Sequence, residues 1–221
     1  MQAAAPDFER EYVQNVYDEI SEHFSSTRYK RWPVVEKFLA SIPAASIGVD
    51  LGCGNGKNLA SAVENGPIFM VAYDACESLL NFCKSRGFDS IQGTVLKVPF
   101  TDECFDFALS VAVLHHLRTP ERRLTALREM LRVMRADSLA LIFVWCFEDN
   151  SSVRRHKLTQ LDSEQDVLVP WRLQNESAAA VHLRYYHLFR KGELETLIIE
   201  AGGSVVHSGY DQDNWYAIFR K

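Results

Sequence analysis

The sequence predicts a doubly wound α/β domain, a seven-stranded and mostly parallel sheet with helices on both faces, and three observations carry that prediction. From Ser46 onward, short apolar runs alternate with helical patterns. The first run leads straight into a glycine turn, Asp50-Leu51-Gly52-Cys53-Gly54-Asn55-Gly56, and then into a helix. The runs are nearly continuous in hydrophobic side chains, as strands covered on both faces must be.

The elements follow in order. Residues 8–40 read as two amphipathic helices, with Phe8, Tyr12, Val16, Tyr17 and Ile20 at helical spacing in the first. Val34, Val35, Phe38 and Leu39 mark the second, which Pro33 opens. The link Ser25–Trp32 is polar, basic and aromatic and reads as a loop facing a ligand. Strands are predicted at Ile47–Leu51, Ile68–Tyr73, Asp89–Gln92, Phe105–Val111 and Leu139–Trp145, all parallel. Helices are predicted at Lys57–Asn65, Glu77–Arg86, Pro120–Met134 and Gly192–Ala201. Ser204–His207 and Trp215–Phe219 form a closing hairpin-like pair. Glu148–Ser177 is polar and poorly periodic apart from Val167-Leu168-Val169-Pro170-Trp171. It is expected as a loop or short helix over the carboxyl edge of the sheet, where open α/β sheets bind substrates. The expectation is one domain over 1–221, with residues 1–40 covering the site and 148–180 inserted on its substrate side.

Composition narrows the class. No apolar run is long enough to span a bilayer, and the acidic N-terminal residues lack the core of a secretory leader. The five cysteines are scattered without CxxC spacing, so no metal site is expected and a reducing, cytoplasmic setting suits them, with the nucleus as an alternative. The net charge of −5 does not announce a nucleic-acid binder, but four basic clusters interrupt it. They are Arg28/Lys30/Arg31, Arg118/Arg122/Arg123, Arg154/Arg155/His156/Lys157 and Arg184/Arg190/Lys191.

The glycine turn identifies a cofactor. A dinucleotide fingerprint would place its third glycine at position 57, which is Lys57. Asp50 instead offers a carboxylate just before the glycines, which would repel a pyrophosphate and attract an α-ammonium. Gly52, Gly54 and Gly56, with Asn55 among them, let the backbone approach a methionine moiety. Asp74, ending the second strand, is placed to accept from ribose hydroxyls. Val95 and Leu96 after the third strand and Ala112 after the fourth complete the contacts expected for S-adenosylmethionine. The position just ahead of Val95, a common place for an adenine-binding acid, is Thr94. The fold expected is therefore the Rossmann-like class I architecture of methyltransferases that use this donor.

Several stretches outside the turn are more specific. They include Tyr17–Ile20, Phe24–Pro33, Ala112–Leu117 with Thr119–Arg123, Val169–Trp171, Arg184–Phe189 and Gly209–Tyr216. Over nearly its whole length the chain resembles the eukaryotic tRNA wobble-uridine carboxymethyl methyltransferase family. The resemblance implies esterification of 5-carboxymethyluridine at the anticodon wobble position (U34) to its methyl ester. It also implies a heterodimer with a small zinc-binding activator subunit. The predicted edge strand, Ser90–Gly93, would expose backbone groups on which such a partner could add a strand.

That chemistry suits the residues. The nucleophile is a carboxylate already ionised at neutral pH, so placement matters more than a general base. Arg28 and Arg184 are the candidate holders of anions: one for the substrate carboxylate, the other for the donor's carboxylate or a tRNA phosphate. His115 and His116 either donate to the substrate or cap the next turn. Tyr29, Trp32, Trp171, Tyr185, Tyr186 and Trp215 offer faces for a splayed-out base of the anticodon stem-loop. Asp211, Asp213 and Asn214 form a polar loop expected to orient cationic side chains near the substrate. The rival reading is a methyltransferase of a small-molecule acid, phenol or quinone, which the net acidity favours.

Overall fold

The computed structural model describes residues 4–30, 32–65, 68–148, 158–173 and 181–221. The cluster Arg154–Lys157 and Arg31 lie outside them. The strands, in chain order, are β1 (Ile47–Leu51), β2 (Phe69–Asp74), β3 (Ser90–Gln92), β4 (Phe105–Val111) and β5 (Met134–Trp145). They continue as β6 (Thr159–Gln160), β7 (Asp166–Arg172), β8 (Val181–His187), β9 (Ser204–Asp211) and β10 (Asn214–Arg220). The helices are α1 (Ala5–Glu9), α2 (Asn15–Thr27), α3 (Pro33–Ser41), α4 (Lys57–Asn65), α5 (Glu77–Ser85), α6 (Pro120–Val133) and α7 (Glu193–Ala201).

Seven strands form the main sheet in the order β3-β2-β1-β4-β5-β10-β9. Neighbours are parallel from β3 through β5, and β10 runs antiparallel to both β5 and β9. The predicted class and strand sense therefore hold. The reason is visible in burial: Val49, Leu51, Ala72, Tyr73, Phe107, Ala108, Leu109, Leu141 and Phe143 are all inaccessible or nearly so, on alternating faces. One face packs on α6 and α7 through Leu127, Met130, Leu194 and Ile198. The other packs on α3, α4 and α5 through Phe38, Leu39, Leu59, Leu80 and Cys83. The β9–β10 turn places Gln212 and Asp213 at φ 46° and 66°, the left-handed pair that a two-residue hairpin needs.

Three local expectations change. Helix α2 runs through Ser25–Thr27, and the Ser26 and Thr27 hydroxyls there bond back to the carbonyl of His23. Of the described residues, 28–30 remain as the exposed stretch, and half-buried Trp32 caps α3. Strand β5 starts at Met134, where the helix predicted to include it has already ended. The stretch expected as a loop or short helix contains β6 and β7, which with β8 form a second, three-stranded antiparallel sheet.

The N-terminal helices lie against this second sheet and the main domain. A single π-helical turn, Arg10–Gln14, joins α1 to α2. Buried Glu9 clamps it, accepting from the Arg118 backbone N–H at 2.8 Å and from Arg122 Nε and Nη2 at 2.7 and 2.6 Å. Asp18 on α2 accepts from Cys76 Sγ at 3.0 Å beyond the end of β2.

Candidate active site

The carboxyl ends of β1, β2 and β4 open into a cleft of about 780 Å³, whose other walls are the π turn, α2 and the paired strands β7 and β8. Main-sheet topology therefore supplies one end of the cleft, and the second sheet with α2 supplies the other.

At the first end, Gly52, Gly54 and Gly56 take φ values of 87°, 55° and 78°. A Cβ at Gly52 would strike the Val113 side chain and one at Gly56 would come 2.8 Å from Cys83 Sγ, so the turn tolerates only glycine at those two points. Asp74 Oδ2 accepts the Gly54 N–H at 2.8 Å and its Oδ1 accepts that of Cys76 at 2.9 Å, which holds the carboxylate at the cleft wall. Asp50 is fully buried behind the turn. Its Oδ2 accepts from Asn58 Nδ2 at 3.1 Å, while Oδ1 has no partner among the described residues. Burial lifts the Asp50 pKa to about 6, against the pull of Asn58 and Lys57. Lys57 lines the cleft with its ammonium 4.9 Å over the Trp32 ring, and burial lowers its pKa to about 8 while Asp50 supports its charge. The wall carboxylate Asp74 and the apolar Val95, Ala112 and Leu79 fit an amino-acid-bearing nucleoside such as S-adenosylmethionine, while Asp50 stands behind the glycine turn and does not line the cleft.

At the second end, two cations meet one indole. The guanidinium carbons of Arg184 and Arg28 lie 4.6 and 5.0 Å from the Trp171 ring centroid. Arg184 is only 5% exposed, and its Nε has no hydrogen-bond partner among the described residues. The groups that face it are the hydroxyls of Tyr186 and Tyr17 rather than carboxylates. Its Nη1 donates to Tyr186 Oη at 2.9 Å. Partial burial and the adjacent Arg184 depress the pKa of Arg28.

From Arg184 a directed chain of hydrogen bonds runs back toward β4. The carbonyl of Tyr185 can only accept, so His116 Nδ1 donates to it, at 2.8 Å. Nε2 is then the acceptor and takes the Tyr17 hydroxyl proton at 3.1 Å. Tyr17 Oη in turn lies 3.4 Å from Tyr186 Oη. Burial pushes the His116 pKa down to about 3, so the ring is neutral and the chain keeps one direction at physiological pH.

Of the predicted substrate residues, Arg28, Trp32, His116, Trp171, Arg184 and Tyr186 share this cleft. Tyr29, Asp213 and Asn214 line an adjoining recess instead. His115 lies behind the wall: its Nδ1 accepts the Trp145 N–H at 3.2 Å and its ring stacks on Tyr186 at 4.6 Å. Tyr185 points away from the cleft to Asp166, because neighbours in a strand face opposite sides and Tyr186 takes the cleft side. Trp215 donates to Glu148, and Asp211 lines neither space. Among the donor residues, Leu96 packs into the core behind Val95. Asn55 ties the glycine turn to α2 by reaching Ser25 Oγ at 3.3 Å.

The second basic cluster is consumed internally: Arg118 pairs with Asp162, Arg122 with Glu9, and buried Arg123 donates to the Leu117 carbonyl. Arg190 pairs with Glu164. Sequence reasoning missed Tyr17, Lys57, Asn58 and Trp145 as cleft residues. Tyr17 sits on the core-facing stripe of α2 and so reads as packing. Lys57 carried a signal, standing where a dinucleotide site needs glycine.

Comparison with known proteins agrees with this arrangement. A methyltransferase-domain family model matches residues 49–142. Among solved structures, the Burkholderia thailandensis 1,6-didemethyltoxoflavin-N1-methyltransferase bound to S-adenosylhomocysteine superposes with a TM-score of 0.72. It shares 19% identity, over 100% of this chain and 92% of that one. A Haloferax volcanii methyltransferase complex with the Trm112 activator gives 0.69 at 13% identity, over 94% and 96% of the two chains. These two establish the fold. The tRNA (carboxymethyluridine(34)-5-O)-methyltransferase of Schizosaccharomyces pombe is 44% identical over 97% of this chain and 98% of its own length. With its glycine turn, strand-end acid and arginine-lined cleft, this chain belongs to the tRNA (carboxymethyluridine(34)-5-O)-methyltransferase family.

Proposed function

We propose that the protein methylates the carboxylate of 5-carboxymethyluridine at the wobble position of tRNA, forming 5-methoxycarbonylmethyluridine. The observation that carries this reading is Arg184, a buried guanidinium without a carboxylate partner among the described residues, beside a second arginine over the same indole. A buried unpaired cation is costly, and a planar anion arriving between two guanidinia removes that cost.

S-adenosylmethionine, when bound, supplies an electrophilic methyl group. Asp74 would hold its ribose, Val95 and Ala112 would flank the base, and Asp50 would balance the ammonium of its amino-acid moiety from behind the glycine turn. Arg184 holds the substrate carboxylate as the ionised nucleophile, so no proton has to be removed. Tyr186 and Tyr17 orient Arg184, and neutral His116 orients Tyr17. Trp171 excludes water from one side of the carboxylate and offers a face to the uracil. Helices α1 and α2 act as the cover of the site, and 148–180 as its substrate-side wall.

The solved neighbour in complex with the Trm112 activator supports an activator partner, and in our reading a zinc-binding activator subunit adds its strand at the open edge of β3, where the main sheet ends. A reducing, cytoplasmic compartment suits the free cysteines. Among the described residues no helix is long and apolar enough to cross a membrane.

The direct test is methyl transfer to an anticodon stem-loop bearing 5-carboxymethyluridine, with and without the activator. Ester formation is expected. Arg184→Ala should lower kcat/KM about 10- to 150-fold, the worth of one hydrogen bond to a charged group. Transfer to small carboxylic acids but not to the RNA would overturn the reading.

A further inference from the structure

Beside the cleft lies a recess of about 300 Å³, between the loop that follows α2 and the β9–β10 turn. The two spaces are continuous, since Thr27, Arg28, Trp32, Lys57 and Trp145 line both. Tyr29 and Lys30 line the recess alone. Tyr29 is 67% exposed, so most of its side chain is open to solvent.

The surrounding charges select a ligand. Arg28 stands at the junction of the two spaces, and exposed Lys30 stands at the recess mouth. Lys57 is engaged with Trp32. Asp213, the acidic residue on this lining, has its Oδ1 taken by the Tyr210 hydroxyl at 3.2 Å. Asn214 braces the turn by donating to the Asp211 and Gln212 carbonyls. An exposed aromatic face next to cations is the composition that single-stranded nucleic acid selects, with stacking on the ring and a phosphate on the cations. A free acid small enough for the main cleft has no use for a second, connected space.

We infer that this recess seats the nucleotide adjoining the wobble uridine in the RNA chain. Tyr29 stacks its base, while Lys30, with Arg28 at the junction, meets its phosphate. The inference rests on the proposed tRNA substrate and deepens it. One modified base enters the cleft, and its covalent neighbour is held one step outside, which discriminates an RNA chain from a free carboxymethyl nucleoside.

Fluorescence anisotropy of a labelled 5-carboxymethyluridine stem-loop binding to the full-length protein tests it. Tyr29→Ala should weaken binding roughly 5- to 150-fold, and Tyr29→Phe should restore it, because stacking needs the ring and not the hydroxyl. Lys30→Ala should reduce the slope of log affinity against log salt by about 0.7 to 1, the loss of one phosphate contact. Both variants should keep wild-type affinity for S-adenosylhomocysteine, which reports an intact fold. If wild type methylates the stem-loop but Tyr29→Ala and Lys30→Ala match its affinity and slope, the recess assignment is wrong and the proposed activity stands. If wild type neither binds nor methylates the stem-loop, both fall together.

Discussion

Arg184 lines the second end of the cleft and Asp50 is buried behind the glycine turn at the first, charges of opposite sign that each keep a polar atom without a partner among the described residues. Both are costs that the ligand-free protein carries for binding. Asp50 shows the sign clearly. Its folded pKa, about 6, is raised above the ordinary carboxylate value by burial, so folding favours the protonated form. The favourable contribution is complete below about pH 4 and is lost as pH rises through about 6. Asp50→Asn keeps an acceptor for Asn58 and removes the charge. It should therefore raise the melting temperature of the ligand-free protein at pH 7.5, by the equivalent of about 1–3 kcal/mol, and weaken S-adenosylhomocysteine binding more than tenfold. Calorimetry of both properties checks this, and a destabilised variant would refute it. The same scale shows why adjacent candidates separate. His115 and His116 differ because a 3-10 turn sends one ring behind Tyr186 and the other into the cleft.

The second sheet turns that pair of ends into a cleft. Strand β8 puts Arg184 and Tyr186 on the site face and Tyr185 and His187 on the other. Behind the sheet, His187 Nδ1 meets Asp166 at 3.0 Å and Nε2 meets Glu193 at 2.7 Å, joining β7, β8 and α7. Burial lowers the His187 pKa, but bonds to Asp166 and Glu193 outweigh it and leave it raised. The stabilisation is thus fully present below the ordinary histidine value of about 6.5 and is lost as pH rises through the raised folded value. Wild type should exceed His187→Gln in melting temperature by more at pH 6 than at pH 9. An equal gap at both would dismiss the charged latch. None of this sheet was legible as strands, because β6 has two residues and β7 is anchored by pairing with β8 further along the chain rather than by its own periodicity.

At the scale of the molecule, a chain of net charge −5 concentrates unpaired positive charge at its site, while Arg118, Arg122, Arg132 and Arg190 are spent on internal ion pairs. Global charge and site charge therefore disagree in sign, and the rival small-molecule reading drew on the global value. The main sheet ends in β3 on one side and β9 on the other. Ile91, at the centre of β3, is 36% exposed. If the activator adds its strand there, Gln92→Pro should abolish its co-purification, since residues 89, 91 and 93 bond to β2, the Gln92 N–H faces the open edge, and proline removes that donor and obstructs an added strand. Circular dichroism and S-adenosylhomocysteine binding should stay at wild-type values. Undiminished co-purification would move the interface away from β3.

The parallel sheet, the glycine turn and the acid at the end of β2 were legible in the amino-acid order, because each is written in contiguous residues with a fixed spacing. It also held the family stretches that name the substrate. Which of two histidines and which of two tyrosines face the cleft, and which arginines are left without carboxylates among the described residues, followed from the fold alone. Those outcomes depend on partners far apart in the chain: Glu9 takes Arg122, Asp166 takes Tyr185, and no described carboxylate takes Arg184. Local pattern records what a segment can form, whereas pairing across the fold decides which charges remain for a ligand.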